Sequence, residues 1–487
     1  MEEVFERILY QLTYHPDEPM LFSSGLFLFL FLAFAFVYML LQHTRTLRLL
    51  FVTAFSYYFY YKSSGLYFVL LAIVTLSDYW IARMVLRKKC LVALSLLIDL
   101  GMLGYFKYTN FFCGMWADMV ENNFQPYDIF LPVGISFFTF QSISYVIDVY
   151  RGDLKPLTSL LDYAFYVSFF PQLVAGPIVR ARDFAPQIRK PVIITDEMFA
   201  RGVYLITIGL FKKAVISDYI SLNFVDRIFD NPTLYSGIEN LLGVYGYTLQ
   251  IYCDFSGYSD MAIGIALLLG FRFPINFNAP YRADSITDFW RRWHISLSSW
   301  IRDYIYISLG GNRKGHARTY INLLLTMLLG GLWHGASLNF VAWGGMHGIA
   351  LAAHKWLRAN VFHHDKHDVS HGIRKLAAIV LTFHFVAFCW IFFRNHTFAN
   401  SQAMLMRIFS DFHPELLWQV ITGYRYVFLL IGFGYLTHLL PDSWQEFFIR
   451  MLRSGGVLFC ALVVATVIYI VIQVKSSTIQ PFIYFQF

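Results

Sequence analysis

Six apolar runs close to bilayer-crossing length recur along this chain: Leu21 to Leu41, Leu66 to Ile81, Leu91 to Tyr105, Leu376 to Phe393, Val427 to Leu440 and Gly456 to Val474. A membrane-spanning helix needs roughly 20 predominantly apolar residues, fewer where it is short or broken. Runs of this kind commit the chain to a membrane, and the composition agrees. Of 487 residues, 57% are hydrophobic and 14% charged, where soluble domains carry roughly 25% charged residues. The pattern predicts an all-α polytopic membrane protein with about eleven to thirteen membrane segments. No hydrophilic stretch is long enough for a separate soluble domain, so residues 20–487 read as one integral membrane domain.

Residues 1–19 are acidic and polar, without the basic start of a signal peptide. They read as an N-terminal extension or a misassigned start, with Val4 to Leu12 as a short surface helix and Met20 as a natural beginning. Positive-inside counting places this acidic end outside and puts Arg45, Arg48, Arg83, Arg87, Lys88 and Lys89 in cytoplasmic loops. The net charge of +7 fits basic cytoplasmic loops, and no basic stripe interleaved with aromatics suggests nucleic acid. Cys90, Cys113, Cys253, Cys389 and Cys460 show neither disulfide rhythm nor metal-ligand spacing.

Past Leu131 the apolar segments are interrupted by Pro132, Pro171, Pro177, Pro186 and Pro191. Broken helices survive at membrane depth only where protein or a water-filled cavity satisfies the freed backbone groups. Broken or re-entrant helices around a central cavity are therefore expected. Asp148, Asp254 and Asp260 interrupt apolar or aromatic sequence in this region, as substrate pathways and catalytic sites do. Asp254 and Asp260 share their segment with Gln250 and four tyrosines, which suits a polar cavity wall. Lys212 and Lys213 read as helix-end residues paired near the headgroups.

Two strings hold a histidine beside tryptophan. Between Thr287 and Asn312, Trp290, Trp293, Leu297, Trp300, Tyr304 and Ile307 recur at helical steps. Arg291, His294, Ser298 and Arg302 form a second row beside them. An interfacial helix with its aromatics at headgroup depth and the wall of a polar reaction chamber both fit this pattern. The second string is GGLWHGA, in which Trp333 and His334 lie within Ile321 to Met346, a run free of Asp, Glu, Lys and Arg. A buried imidazole stays neutral, which suits a general base, and glycines allow close approach of backbone or substrate. A histidine bonded to a neighbouring helix fits equally. His347 has a similar setting. His363, His364, His367 and His371 fall in a charged, loop-like stretch, and His384 reads as structural. Nucleophile-elbow, zinc-protease and phosphate-loop motifs are missing.

The strings PVGISFFTFQSISYVIDVYRG, FFPQLVAGPIVRARDFAPQI, YCDFSGYSDMAIG, FPINFNAPYRADSITDFWRRWHISLSSWIRDYIYISLGGNR, LGGLWHGASLNFVAWGGMHG and AFCWIFFR cover most of residues 131–394. Together they closely resemble the membrane-bound O-acyltransferase family, in its bacterial branch associated with alginate O-acetylation. The resemblance implies a multi-helix enzyme that passes an acyl group to a hydroxyl. His334 matches the family's catalytic histidine. His294 matches a second characteristic position, often asparagine or histidine in the wider family. Trp293, Trp300, Arg291, Ser298, Asp254, Asp260 and Trp333 are the expected lining of the substrate cavity, with no metal.

The donor implied is an acyl thioester, acetyl-coenzyme A or a carrier protein, acting as substrate without a tightly bound cofactor. The implied setting is a bacterial cytoplasmic membrane, with a separate extracytoplasmic acetyltransferase as partner and a polysaccharide as final acceptor. A D-alanyl transferase acting on teichoic acid is the nearest alternative, and a transporter or flippase the alternative of another class. Transporters often show two similar halves, and no internal repeat is evident here.

Overall fold

The computed structural model describes residues 2–16, 18–85, 88–361, 372–474 and 483. Arg87 and the histidine-rich stretch of His363, His364, His367 and His371 lie outside the described residues. Every regular element among the described residues is helical, which gives the all-α polytopic membrane class. Residues Glu2–Leu12 form a helix with Val4, Phe5 and Ile8 exposed.

Among the described residues, four stretches are long and apolar enough to cross a membrane: Arg45–Met84, Lys89–Met119, Gly372–Arg394 and Asp442–Val474. A fifth is possible if Pro414–Gly423 and Arg425–Leu439, bent by 95° at their junction, count as one broken span. The roughly eleven to thirteen segments expected from the sequence include short and broken ones. Much of the remaining apolar sequence forms shorter helices, such as the 17 residues of Gly25–Leu41. Other parts pass through π-helical turns, as at Phe211–Ser217 and Ser221–Val225.

The chain divides into two compact units. One is built on Met1–Ile206 with Tyr258–Pro274, the other on Thr207–Gly257 with Ile275–Thr478. In the first, Gly25–Leu41 shows how an apolar helix is anchored. Ser24 caps it by accepting from the Phe27 N–H at 3.2 Å. Its inner side sets Phe34 4.4 Å from the Phe55 ring and 5.5 Å from Phe170. The Tyr38 hydroxyl donates to the Leu269 carbonyl at 2.6 Å. Phe29, Leu32 and Phe36 stand exposed on the other side, as expected of a helix whose outer face meets lipid.

In the second unit, His316–His334 and Leu338–Asn360 form a tight helical hairpin. Its seam is made of small residues. A Cβ at Gly331 would collide with the Phe340 carbonyl oxygen and lie 3.2 Å from the Gly344 Cα. A Cβ at Gly344 would collide with the Met327 carbonyl oxygen. Backbones this close gain dispersion energy along their length, the usual basis of helix pairing in membranes. The far end of Leu338–Asn360 carries Trp356 and Leu357 outward. Its near end is held by Asn339, whose side-chain amide donates to the Asn395 carbonyl at 2.7 Å, just beyond Gly372–Arg394.

The seam makes a matched pair of substitutions informative. Gly344→Ala should lower stability by about 1–3 kcal/mol, the usual effect of overpacking. Gly345→Ala should leave it unchanged, because a Cβ there meets only the Leu328 side chain at 3.6 Å. Thermal or denaturant unfolding of the two variants in detergent reads the difference, and equal stability would contradict the seam.

Candidate functional site

The tryptophan-rich segment is not one continuous helix. Ile286–Arg292 ends at Trp293, and a new helix, Ile295–Ile301, starts after His294. A π-helical turn over Arg302–Tyr306 follows. The break has a local cause. His294 adopts left-handed backbone angles, φ +43° and ψ +54°, a region rarely occupied by non-glycine residues, though histidine, asparagine and aspartate enter it more readily. An upstream stretch, Asn276 to Asn278, then pairs with backbone groups on both sides of the break. The Asn276 carbonyl accepts from the Ile295 N–H at 2.9 Å, and the Asn278 N–H donates to the Arg292 carbonyl at 2.9 Å.

Because the helix breaks, the two predicted rows do not form two clean faces. Trp293, Trp300 and Tyr304 are buried, but Ile307 is 47% exposed. His294 is fully buried, whereas Arg291 and Arg302 face outward. Arg302 pairs with the adjacent Asp303 at 2.7 Å. Ser298 is half-buried, and its hydroxyl donates to the Trp293 carbonyl at 3.1 Å.

His334 is the last residue of its helix, placed at the tip of the glycine-seamed hairpin. Aromatic rings surround it: Trp343 at 5.0 Å and Phe393 at 5.2 Å, both edge-on, with Trp333 at 4.9 Å. Trp333 also lies 6.1 Å from the His294 ring. The structure therefore brings His294, His334 and Trp333 together, with the indole between the two imidazoles. Trp293 belongs to the same aromatic wall, 5.0 Å from Trp390 and 5.1 Å from Phe277. Trp300 packs on Tyr304 at 5.0 Å.

The carboxylates are placed differently. Asp254 is buried and pairs with Lys213 at 2.5 Å, and Asp218 approaches the same ammonium at 2.8 Å. Lys213 is itself 2% exposed, so it is a buried ionic centre and not a headgroup-level helix end. Lys212 lies over the Tyr252 ring at 5.4 Å. Asp260 is half-buried and falls in the other compact unit, on Tyr258–Pro274. Asp148, fully buried, also belongs to that unit.

Several neighbours of the two histidines carried no isolated signal in the sequence. Trp343 and Phe393 look like ordinary apolar helix positions, and only their packing makes them a casing. His347, whose setting the sequence likened to that of His334, is fully buried, accepting at Nδ1 from the Trp290 indole N–H at 3.3 Å and packing 4.8 Å from Trp343. Asn276 sits in an extended stretch before the break, where nothing in the local pattern points to it. A buried neutral imidazole inside an aromatic casing can exchange a proton with a bound hydroxyl while bulk water is excluded.

Comparison with known proteins gives the family. Residues 154–355 match the membrane-bound O-acyltransferase family. The probable alginate O-acetylase of Pseudomonas syringae is 41% identical over 444 residues, which covers 88% of this chain and 83% of that protein. A peptidoglycan O-acetyltransferase of Helicobacter pylori is 40% identical over 344 residues, 65% of this chain and 64% of that protein. A teichoic acid D-alanyltransferase of Bacillus subtilis is 30% identical over 296 residues, 56% of this chain and 71% of that one.

The ionic centre separates structural from chemical roles. Lys213→Met strands two carboxylates, one of them deeply buried, and should lower stability by about 3–5 kcal/mol. Arg302→Ala breaks only an exposed pair and should change it by about 0–1 kcal/mol. Denaturant unfolding of both variants in detergent decides, and a Lys213→Met protein as stable as the parent would rule out the assignment.

Proposed function

This chain belongs to the membrane-bound O-acyltransferase family, and from that premise we propose that it moves an acetyl group from a cytoplasmic thioester toward a hydroxyl of an exported polysaccharide. The placement of His334 carries the reading: one imidazole at the tip of a rigid hairpin, cased by Trp333, Trp343 and Phe393. The relatives named for alginate and peptidoglycan O-acetylation match at 41% and 40% identity, the D-alanyltransferase at 30%. That order favours acetyl over D-alanyl transfer.

In this reading His334 is the general base. The acceptor oxygen attacks the thioester carbonyl carbon, the C–O bond forms as the C–S bond breaks, and the hydroxyl proton passes to the imidazole. The imidazolium then returns that proton to the departing thiolate, which leaves as a free thiol. His294 holds the acceptor in line. The surrounding indoles and phenyl rings keep water from the thioester, so that transfer competes with hydrolysis. The donor is acetyl-coenzyme A or an acylated carrier protein, consumed as substrate. The enzyme sits in a bacterial cytoplasmic membrane, and a separate extracytoplasmic acetyltransferase carries the group to the finished polymer. That division follows from the chemistry: thioesters are cytoplasmic, whereas alginate and peptidoglycan lie outside.

Purified protein in nanodiscs should release free coenzyme A from acetyl-coenzyme A when an acceptor hydroxyl is supplied. His334→Ala should reduce that release by about 10²–10⁴-fold, the usual contribution of a general base, while the protein remains folded. Undiminished release in the variant rejects His334 as the base. Release only from a D-alanylated carrier protein would transfer the assignment to the teichoic acid reading.

A further inference from the structure

Asn276 is 1% exposed and lies against the break at His294. Its side-chain oxygen, Oδ1, is 3.1 Å from His294 Nδ1, 3.2 Å from the Ser296 backbone nitrogen and 2.8 Å from the Ser296 hydroxyl. These contacts decide a question that coordinates usually leave open. Asparagine oxygen and nitrogen are hard to tell apart, and so are the two tautomers of a neutral histidine. Here the backbone settles both. The Ser296 N–H can only donate, so the amide atom facing it is the oxygen. An amide oxygen can only accept, so His294 Nδ1 carries the proton. In a neutral imidazole the other nitrogen, Nε2, then holds a bare lone pair.

That lone pair is enclosed by the protein. His294 is fully buried, and Nε2 has no hydrogen-bond partner among the described residues. The rings nearest the imidazole are Phe255 at 4.6 Å, Trp333 at 6.1 Å and Phe277 at 6.4 Å. The carboxylate next to Phe255, Asp254, is engaged by Lys213. Buried polar atoms in native proteins are rarely left unpaired, and an exception calls for an explanation such as a catalytic role or a bound water. The complement of this site is a group that donates a hydrogen bond.

We propose that Asn276 is a positioning residue that holds His294 in its Nδ1–H form, so that His294 Nε2 accepts a hydrogen bond from the acceptor hydroxyl and does not donate one to the oxyanion. This rests on the acyltransferase reading above and sharpens it. His294 receives the hydroxyl's hydrogen bond on binding, the single O–H then turns to His334, which takes the proton during attack, and the oxyanion is stabilised by another group.

Nitrogen-15 NMR of histidine-labelled protein in bilayers tests the tautomer without any substrate. The His294 ring is assigned as the signal that disappears in His294→Asn. The parent protein should show a protonated Nδ1 and an unprotonated Nε2, and so should Asn276→Asp, whose carboxylate still accepts from both Nδ1 and the Ser296 N–H. Asn276→Leu should lose that preference, and its acceptor kcat/KM should fall by about 10–100-fold, the size of effect known for removing the partner that orients a metal-ligating imidazole. Its KM for the thioester donor should stay unchanged, and Asn276→Asp should restore acceptor turnover. A His294 protonated at Nε2 in the parent protein overturns the proposal, as does Asn276→Leu with full acceptor turnover. Neither result touches the acyltransferase reading. That reading fails separately, if the parent transfers nothing from any thioester while its His294 shows the expected tautomer.

Discussion

Backbone contact between Gly331 and Gly344 is the constraint on which the placement of His334 depends. Two helices that meet without intervening side chains cannot slide or rotate without opening a gap, and packed interiors resist gaps strongly. The residue at the tip of such a hairpin is therefore placed by the whole length of the seam. Asn339 ties the opposite leg to the chain beyond Gly372–Arg394, the helix that brings in Trp390 and Phe393. The imidazole and most of its casing thus come from three consecutive helices held by close approach and one buried amide bond.

The sequence made the class of protein and the two histidines legible, for understandable reasons. Apolar runs report a membrane directly, and an uncharged stretch around His334 makes one polar ring conspicuous. The break at His294 was not legible. Trp290, Trp293, Leu297 and Trp300 keep helical phase across it, because a two-residue interruption between two short helices barely disturbs a three- and four-residue rhythm. It combines the left-handed backbone of His294 with contacts from Asn276, eighteen positions upstream, and the rhythm of neighbouring residues registers neither. Lys213 misled for the same reason. It resembles a headgroup lysine until Asp218 and Asp254 are seen to converge on it, the second from a different helix.

The interrupted helices tell a related story. About eleven to thirteen membrane segments, broken ones included, are expected from the sequence, and four of the described stretches are long and apolar enough to cross a membrane. Between Phe211 and Val225 the chain spends most of its length in π-helical turns, which widen a helix by one residue and shift the side chains that follow. Lys213 lies within the first of these turns. The irregular backbone and the buried charge coincide there, and each gives a physical reason for the other. A buried ammonium must reach two carboxylates, and a regular helix would aim it along a different direction.

The left-handed backbone at His294 has a further consequence. Ramachandran sterics admit few side chains to φ near +43°, and those that enter most readily besides glycine are asparagine, aspartate and histidine. The family resemblance noted at this position, histidine here and often asparagine elsewhere, then has a cause that precedes catalysis. The backbone filters the residue types first, and chemistry selects among the survivors. Alanine at 294 confounds two losses, that of the ring and that of a residue suited to the turn. Asparagine is the substitution that keeps the fold's requirement and removes only the imidazole.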